Sequence, residues 1–130
     1  MALRNDARRA RPRFLNLFRL RYPVGAVCSV AHRASGVLLA LFLPAAVVLL
    51  RLSLAGPSGY EAAASLLHAP AAKAAAFVFF WALAHHVLAG VRHLLKDIDL
   101  GSTLAVARRS AWSVNMLGVL LALLALGALW

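Results

Sequence analysis

Apolar residues form three long runs in this sequence, separated by short polar or charged stretches. The stretch 111–130 carries no charged residue over 20 positions, and 74–91 contains no Lys, Arg, Asp or Glu. A third run lies between Arg33 and Arg51, whose Cα atoms would be about 27 Å apart on a straight helix. About 20 helical residues are needed to cross the roughly 30 Å hydrocarbon core of a bilayer. The pattern therefore predicts three membrane-spanning helices.

Proline, glycine and charge mark the boundaries of these elements. The GPSG stretch indicates a turn, and the apolar residues after it predict a short helix outside the membrane,. We expect one transmembrane domain over 1–130. Its predicted parts are an interfacial segment at 1–22, spans at about 24–54, 70–96 and 107–130, and the short helix at 60–67.

The composition agrees with a membrane location. Hydrophobic residues make up 63% of the chain and charged residues 14%, whereas a soluble domain carries roughly a quarter of its residues as charged side chains. Membrane helices rich in Ala and Gly usually pack against other helices. We therefore predict an all-α membrane protein that is part of a multi-subunit helical bundle.

The net charge of +10 raises the alternative of nucleic-acid binding. However, eight of the 14 basic residues lie at or before Arg33, and the connection between the second and third spans carries four more. This alternation between the two sides predicts a cytoplasmic N-terminus and contact with anionic lipid headgroups rather than nucleic acid. The bacterial inner membrane is the expected location, with the mitochondrial inner membrane as the alternative because the Arg-rich start is also similar to a transit peptide.

Cys28 is the only cysteine in the sequence. A single cysteine excludes an internal disulfide, and it excludes a thiolate cluster for zinc or an iron–sulfur centre within this chain. The C-x-x-C-H motif for covalent haem attachment is also absent from the sequence. We expect Cys28 to be a small packing residue.

Polar residues cluster on one face of each of two predicted spans, at helical spacing. Both faces run toward the predicted cytoplasmic ends of their helices, so we expect them to meet. Ionisable residues within a membrane usually face the bundle interior and mark functional paths. The first face contains Ser29, His32, Arg33 and Gly36, and the second contains His86, Gly90, His93 and Asp97.

His86 lies near mid-membrane, about 20 Å along the helix from Lys73 and about 16 Å from Asp97. A haem ligand and a hydrogen-bonded packing residue are both open for it. Gly90 would let a flat macrocycle approach the backbone. His85 is rotated by about 100° from His86, so both cannot bind one haem iron; we expect it to pack or to form a hydrogen bond.

The position of His86 also indicates what else a haem would need. His68 and His93 are too far along the chain to bind the same iron, so a second axial ligand is expected from a partner subunit. Cationic and hydrogen-bonding groups nearer the surface could meet the haem propionates. These groups are His32, Arg33, Arg92 and His93.

Ser29 and Arg33 suggest a quinone site, because a quinone needs hydrogen-bond donors at its carbonyl oxygens. Asp97 could relay protons through water. Alternatively, Arg33 is a snorkelling topology anchor and Ser29 a small packing residue. Their shared face with His32 favours the quinone site.

Two stretches together resemble a known family. LRYPVGAVCSVAHRASG at 20–36, followed by HVLAGVRHLLKD at 86–97, is similar to the cytochrome b556 subunits of succinate dehydrogenase, one of the two membrane anchors of respiratory complex II. The resemblance covers nearly the whole chain, including Arg11 and Pro12, the three spans and the charged second connection. The motifs S-x-x-H-R-x-S-G and H-x-x-x-G-x-R-H-x-x-x-D are weak singly and fairly specific together.

This resemblance implies a non-flavin subunit that binds haem b and ubiquinone and carries out no succinate chemistry itself. It implies three partners: a second membrane anchor that supplies the other haem ligand, an iron–sulfur subunit and a flavoprotein subunit. The implied site residues are His86 as axial ligand to the haem iron, His32 at the propionates with His93 in the vicinity, Ser29 and Arg33 at the quinone, and Asp97 on the water path.

Two positions depart from the family pattern. Lys96 stands where many members carry an aromatic residue, and His85 is an unusual neighbour for the ligand, which leaves the choice between His85 and His86 open. An anchor of a fumarate reductase and a purely structural anchor without haem are the alternative functions.

Overall fold

The computed structural model of the chain describes residues 22–129, which are helical apart from short connections. Three of its helices are long and apolar enough to cross a membrane, so the predicted fold class is confirmed. The predicted interfacial segment, except for Tyr22, and Trp130 lie outside the described residues. The helices are α1 (Val24–Ser53), α2 (Pro57–His68), α3 (Pro70–Asp97) and α4 (Leu104–Leu129).

The first two spans begin and end within one residue of the predicted boundaries, and Pro44 lies inside α1 without ending it. The short helix α2 begins earlier than expected. Pro57 occupies its first turn, where a proline costs no backbone hydrogen bond, so the GPSG stretch belongs partly to the helix. At Gly59 any side chain would collide with the Leu52 carbonyl of α1, which explains the glycine there.

The connection between α3 and α4 is a tight turn. Leu100 N–H donates to the Leu95 carbonyl at 2.9 Å, and Asp99 and Gly101 adopt positive φ angles of 61° and 75°, as is common where a helix ends. The Ala107 N–H then donates to the Thr103 carbonyl at 2.8 Å. Helix α4 therefore begins three residues before the predicted start, because backbone hydrogen bonds form before the apolar run begins.

Helix α3 packs against α1 and α4, and α1 also contacts α4. Small residues allow this close approach: Cys28 of α1, Ala89 of α3 and Ala111 of α4 are fully buried in one cluster, as expected for packing in a membrane. Only 6% of the residues in the most apolar 18-residue stretch of α1 are buried within the described chain. Most of α1 is therefore available to lipid or to another subunit.

One end of the bundle contains the start of α1, the end of α3 and the start of α4. We call it the basic end because four cationic residues of the α3–α4 connection and its flanks lie there: Arg92, Lys96, Arg108 and Arg109.

Candidate functional site

The two predicted polar faces meet between α1 and α3. The His32 ring stacks on the His86 ring, with centroids 4.3 Å apart and planes 25° from parallel. On its other side the His32 ring is tilted against His93, with centroids 5.2 Å apart. The expectation that the faces meet is confirmed, and three imidazoles lie in a row from the middle of α3 toward the basic end.

Hydrogen bonds around His86 determine which ring nitrogen carries its proton. Ser35 Oγ donates its hydrogen to the His32 carbonyl oxygen at 2.7 Å, and His86 Nδ1 lies 3.1 Å from both Ser35 Oγ and that carbonyl. A carbonyl oxygen can only accept. His86 Nδ1 is therefore the donor, and in the neutral ring Nε2 carries the lone pair.

This arrangement is the one that a metal-binding histidine needs. Ligating histidines almost always donate the N–H of one ring nitrogen to a carbonyl or carboxylate, which orients the ring and frees the other nitrogen. The His86 ring is half-buried, and its Nε2 has no hydrogen bond to another residue of the described range. The donor set at His86 thus fits an axial haem ligand, one imidazole nitrogen from this chain.

Two glycines lie beside these rings. A Cβ added at Gly36 would lie 3.0 Å from His86 Cε1, so the ring would have to shift by a few tenths of an ångström, whereas one added at Gly90 would lie 3.8 Å from His32 Nε2, an ordinary van der Waals contact. Gly36 therefore admits the His86 imidazole. Gly90 was expected to let a macrocycle approach the backbone of α3. In the structure, the position that a Cβ would take at Gly90 faces His32.

His85 points in a different direction, toward α4. Its side chain is fully buried, with 1% exposure, and its Nε2–H donates to Asn115 Oδ1 at 3.1 Å. The Trp81 ring lies 5.5 Å away, and Gly118 of α4 passes close enough that a Cβ there would lie 3.2 Å from His85 Cβ. The expectation that His85 packs and forms a hydrogen bond is confirmed, and this geometry favours His86 as the ligand.

The direction of the Arg92 side chain differs from expectation. Arg92 was expected among the groups that could meet the haem propionates. Its side chain is buried, and the guanidinium turns to α4, where Nε donates to Ser110 Oγ and Nη2 donates to the Ala107 carbonyl, both at 3.0 Å. The reason is that Arg92 lies on the α4 side of α3, whereas His86 and His93 lie on the α1 side.

The residues expected at the quinone lie near the basic end. Ser29 is half-buried, and Arg33 and Asp97 are exposed. Within residues 22–129, their side chains form no hydrogen bond or ion pair. Their polar groups are therefore available to a substrate or to another subunit, and the chain alone does not assemble a closed pocket around them.

Sequence reasoning missed Ser35 and Asn115. Ser35 lies three residues after His32, the spacing at which a helical serine bonds a backbone carbonyl, and it stands in the quoted motif. Asn115 is an uncharged polar residue in an apolar span, which is itself a signal of an interhelical hydrogen bond. Both signals were available, but their partners depend on how the helices are rotated.

Comparison with known proteins identifies the family of this chain. The sequence model of the family described as succinate dehydrogenase/fumarate reductase transmembrane subunit matches residues 7–125. The chain is also similar to the succinate dehydrogenase cytochrome b556 subunit of Coxiella burnetii, with 32% identity over 121 residues, which cover 92% of this chain and 97% of that protein.

Proposed function

Since this chain belongs to the family of succinate dehydrogenase/fumarate reductase transmembrane subunits, we propose that it is the anchor that holds haem b and ubiquinone in a succinate:quinone oxidoreductase. Electrons would pass from an iron–sulfur subunit to quinone beside this chain. The observation that carries the proposal is the 3.1 Å distance between His86 Nδ1 and the His32 carbonyl oxygen, which makes Nδ1 the donor and leaves Nε2 for a ligand.

His86 would hold the haem iron through Nε2. Haem b supplies a one-electron redox centre within the membrane. The cytochrome b556 name of the Coxiella relative supports this cofactor. His32, stacked on His86, and His93 beside it offer N–H groups toward the basic end, where we expect the propionates,. A second axial ligand would come from another membrane subunit.

Ser29 and Arg33 would bind the quinone. A hydroxyl and a guanidinium one helical turn apart can donate hydrogen bonds to a carbonyl oxygen of the substrate, and the positive charge stabilises electron density that develops there. Asp97, exposed at the end of α3, would exchange protons with water during quinone reduction.

The partners would be a second membrane anchor, an iron–sulfur subunit and a flavoprotein subunit that oxidises succinate. We place the complex in a bacterial inner membrane with the N-terminus of this chain in the cytoplasm, because most basic residues of the sequence precede the first long apolar run or flank the connection between the second and third,. The family description also includes fumarate reductases, and the same anchor would then deliver electrons from quinol in the opposite direction.

The quinone role is tested with Arg33→Ala in the purified complex. We expect quinone reduction to fall roughly 10- to 150-fold, since a hydrogen bond from a charged donor contributes about 1.5–3 kcal/mol. Succinate oxidation with an artificial acceptor should persist. Arg108→Ala, which removes another exposed arginine at the basic end, is the matched control and should leave both rates unchanged. Equal quinone kinetics in Arg33→Ala and the wild type would reject the role.

A further inference from the structure

A cleft between α3 and α4 opens at the basic end beside the 98–103 connection. Its volume is about 310 Å³, at the lower end of the roughly 300–1,000 Å³ range typical of ligand pockets. Two cationic side chains, Arg92 and Lys96, line it together with Ser110. The cleft lies on the α4 side of α3, whereas His86 and His93 face α1, so it is separate from the proposed haem and quinone site.

Arg92 is buried in this cleft without a counter-ion. Only 7% of its surface is exposed, and its two partners, Ser110 Oγ and the Ala107 carbonyl, are neutral. No carboxylate in residues 22–129 forms an ion pair with Arg92 or with Lys96. Burying a charge without an opposite charge is costly, so an anion from outside the described chain would stabilise this site.

The unused donors of Arg92 indicate the kind of anion. A guanidinium has five N–H donors in a planar fork, and the hydrogen bonds to Ser110 and Ala107 engage two of its nitrogens. The remaining donors suit phosphate oxygens, which arginine binds with two parallel hydrogen bonds. Lys96, one helical turn further along, adds a second positive charge.

The other walls of the cleft are apolar and open. Leu95 is 43% exposed and Leu100 57% exposed, and Val91 and Val106 continue the same surface. Phosphate beside hydrocarbon is the composition of a phospholipid, and anionic lipids gather at basic membrane surfaces. We propose that this cleft binds an anionic phospholipid, with the phosphate at Arg92 and Lys96 and an acyl chain against the apolar walls. The proposal does not depend on haem or quinone.

The test measures phospholipid retained by the whole purified complex after washing in detergent, by native mass spectrometry and lipid extraction. The wild type should retain an anionic phospholipid. Lys96→Gln should weaken retention about fivefold, because one cation near a membrane surface contributes about 1 kcal/mol, and Arg92→Gln should weaken it further. Arg109→Gln removes an exposed cation at the same end that does not line the cleft, and it should retain lipid as the wild type does.

A second measurement uses vesicles of defined lipid, because Arg92→Gln also removes two interhelical hydrogen bonds and could impair assembly. Phosphatidylglycerol vesicles should raise the thermal stability of the wild-type complex above that in phosphatidylcholine vesicles, and Lys96→Gln should reduce that difference. Equal retention by Lys96→Gln and the wild type would overturn the proposal, as would an equal loss in Arg109→Gln. A carboxylate of a partner subunit in the cleft would produce the first of these results.

Discussion

His85 and His86 are adjacent in sequence, yet α3 presents them to different helices. His86 faces α1, is half-buried, and donates from Nδ1 to a backbone carbonyl, so its Nε2 lone pair is free. His85 faces α4, is fully buried, and uses Nε2 to bond Asn115. The His86 imidazole therefore has a ring nitrogen available to a metal, whereas the His85 imidazole forms a hydrogen bond between α3 and α4.

The comparison teaches that access to the unprotonated ring nitrogen, rather than position along α3, separates the two histidines. Both rings lie near the middle of α3, and each has one ring nitrogen hydrogen-bonded to an oxygen of a neighbouring helix. A carbonyl partner at Nδ1 leaves an imidazole able to bind a metal through Nε2. His85 donates from Nε2 to Asn115, so its lone pair is on Nδ1, and that nitrogen is buried without a hydrogen-bond partner among the described residues, inside the interface between α3 and α4, where a haem cannot reach it.

Replacing each histidine by alanine should give the largest contrast. His86→Ala removes the proposed axial ligand and should abolish the b-type band in the reduced-minus-oxidised spectrum. His85→Ala should keep the band while lowering the thermal stability of the complex, because it leaves a cavity and an unpaired Asn115. Assembly is followed by the amount of iron–sulfur subunit that co-purifies. A b-type band retained in both variants would remove the distinction between the two residues.

Adding one methyl group to a helix that contacts α3, either α1 or α4, should separate the proposed haem-binding role of His86 from the packing role of His85. Gly36→Ala brings a Cβ to 3.0 Å from His86 Cε1 and should displace the ring; overpacking typically costs about 1–3 kcal/mol, equivalent to a roughly 5- to 150-fold loss of haem retention. Gly118→Ala brings a Cβ to 3.2 Å from His85 Cβ and should destabilise the contact between α3 and α4 while leaving the haem spectrum unchanged. The opposite assignment of effects would contradict the account.

Removing the side-chain hydrogen bonds should give the smallest effects. Ser35→Ala leaves His86 Nδ1 one acceptor, the His32 carbonyl, so we expect a loss of about 0.5–1.5 kcal/mol in haem binding. Asn115→Ala removes the acceptor of His85, and interhelical hydrogen bonds in membranes contribute about 0.6–1.7 kcal/mol. It should lower the thermal melting point with no change in haem retention. A larger loss of haem in Asn115→Ala than in Ser35→Ala would refute this order.

The spans could be predicted from sequence because hydrocarbon requires long apolar runs without charge. The start of α4 could not, because the Thr103 carbonyl and the Ala107 N–H begin the helix before the hydropathy rises. His86 and His32 followed from helical spacing, which identifies the residues that share a face. Spacing does not give the rotation of one helix against another, which explains why Ser35, Asn115 and the direction of Arg92 required the structure.

The central claim is that His86 Nε2 is the haem ligand of this chain, and ligand replacement tests it most directly. His86→Gly leaves a space beside Gly36 that free imidazole can enter. We expect the purified His86→Gly complex to lack the low-spin b-type spectrum and to regain it when haem and imidazole are added together, while His85→Gly keeps the spectrum without imidazole. An unchanged low-spin spectrum in His86→Gly before imidazole is added would contradict the claim.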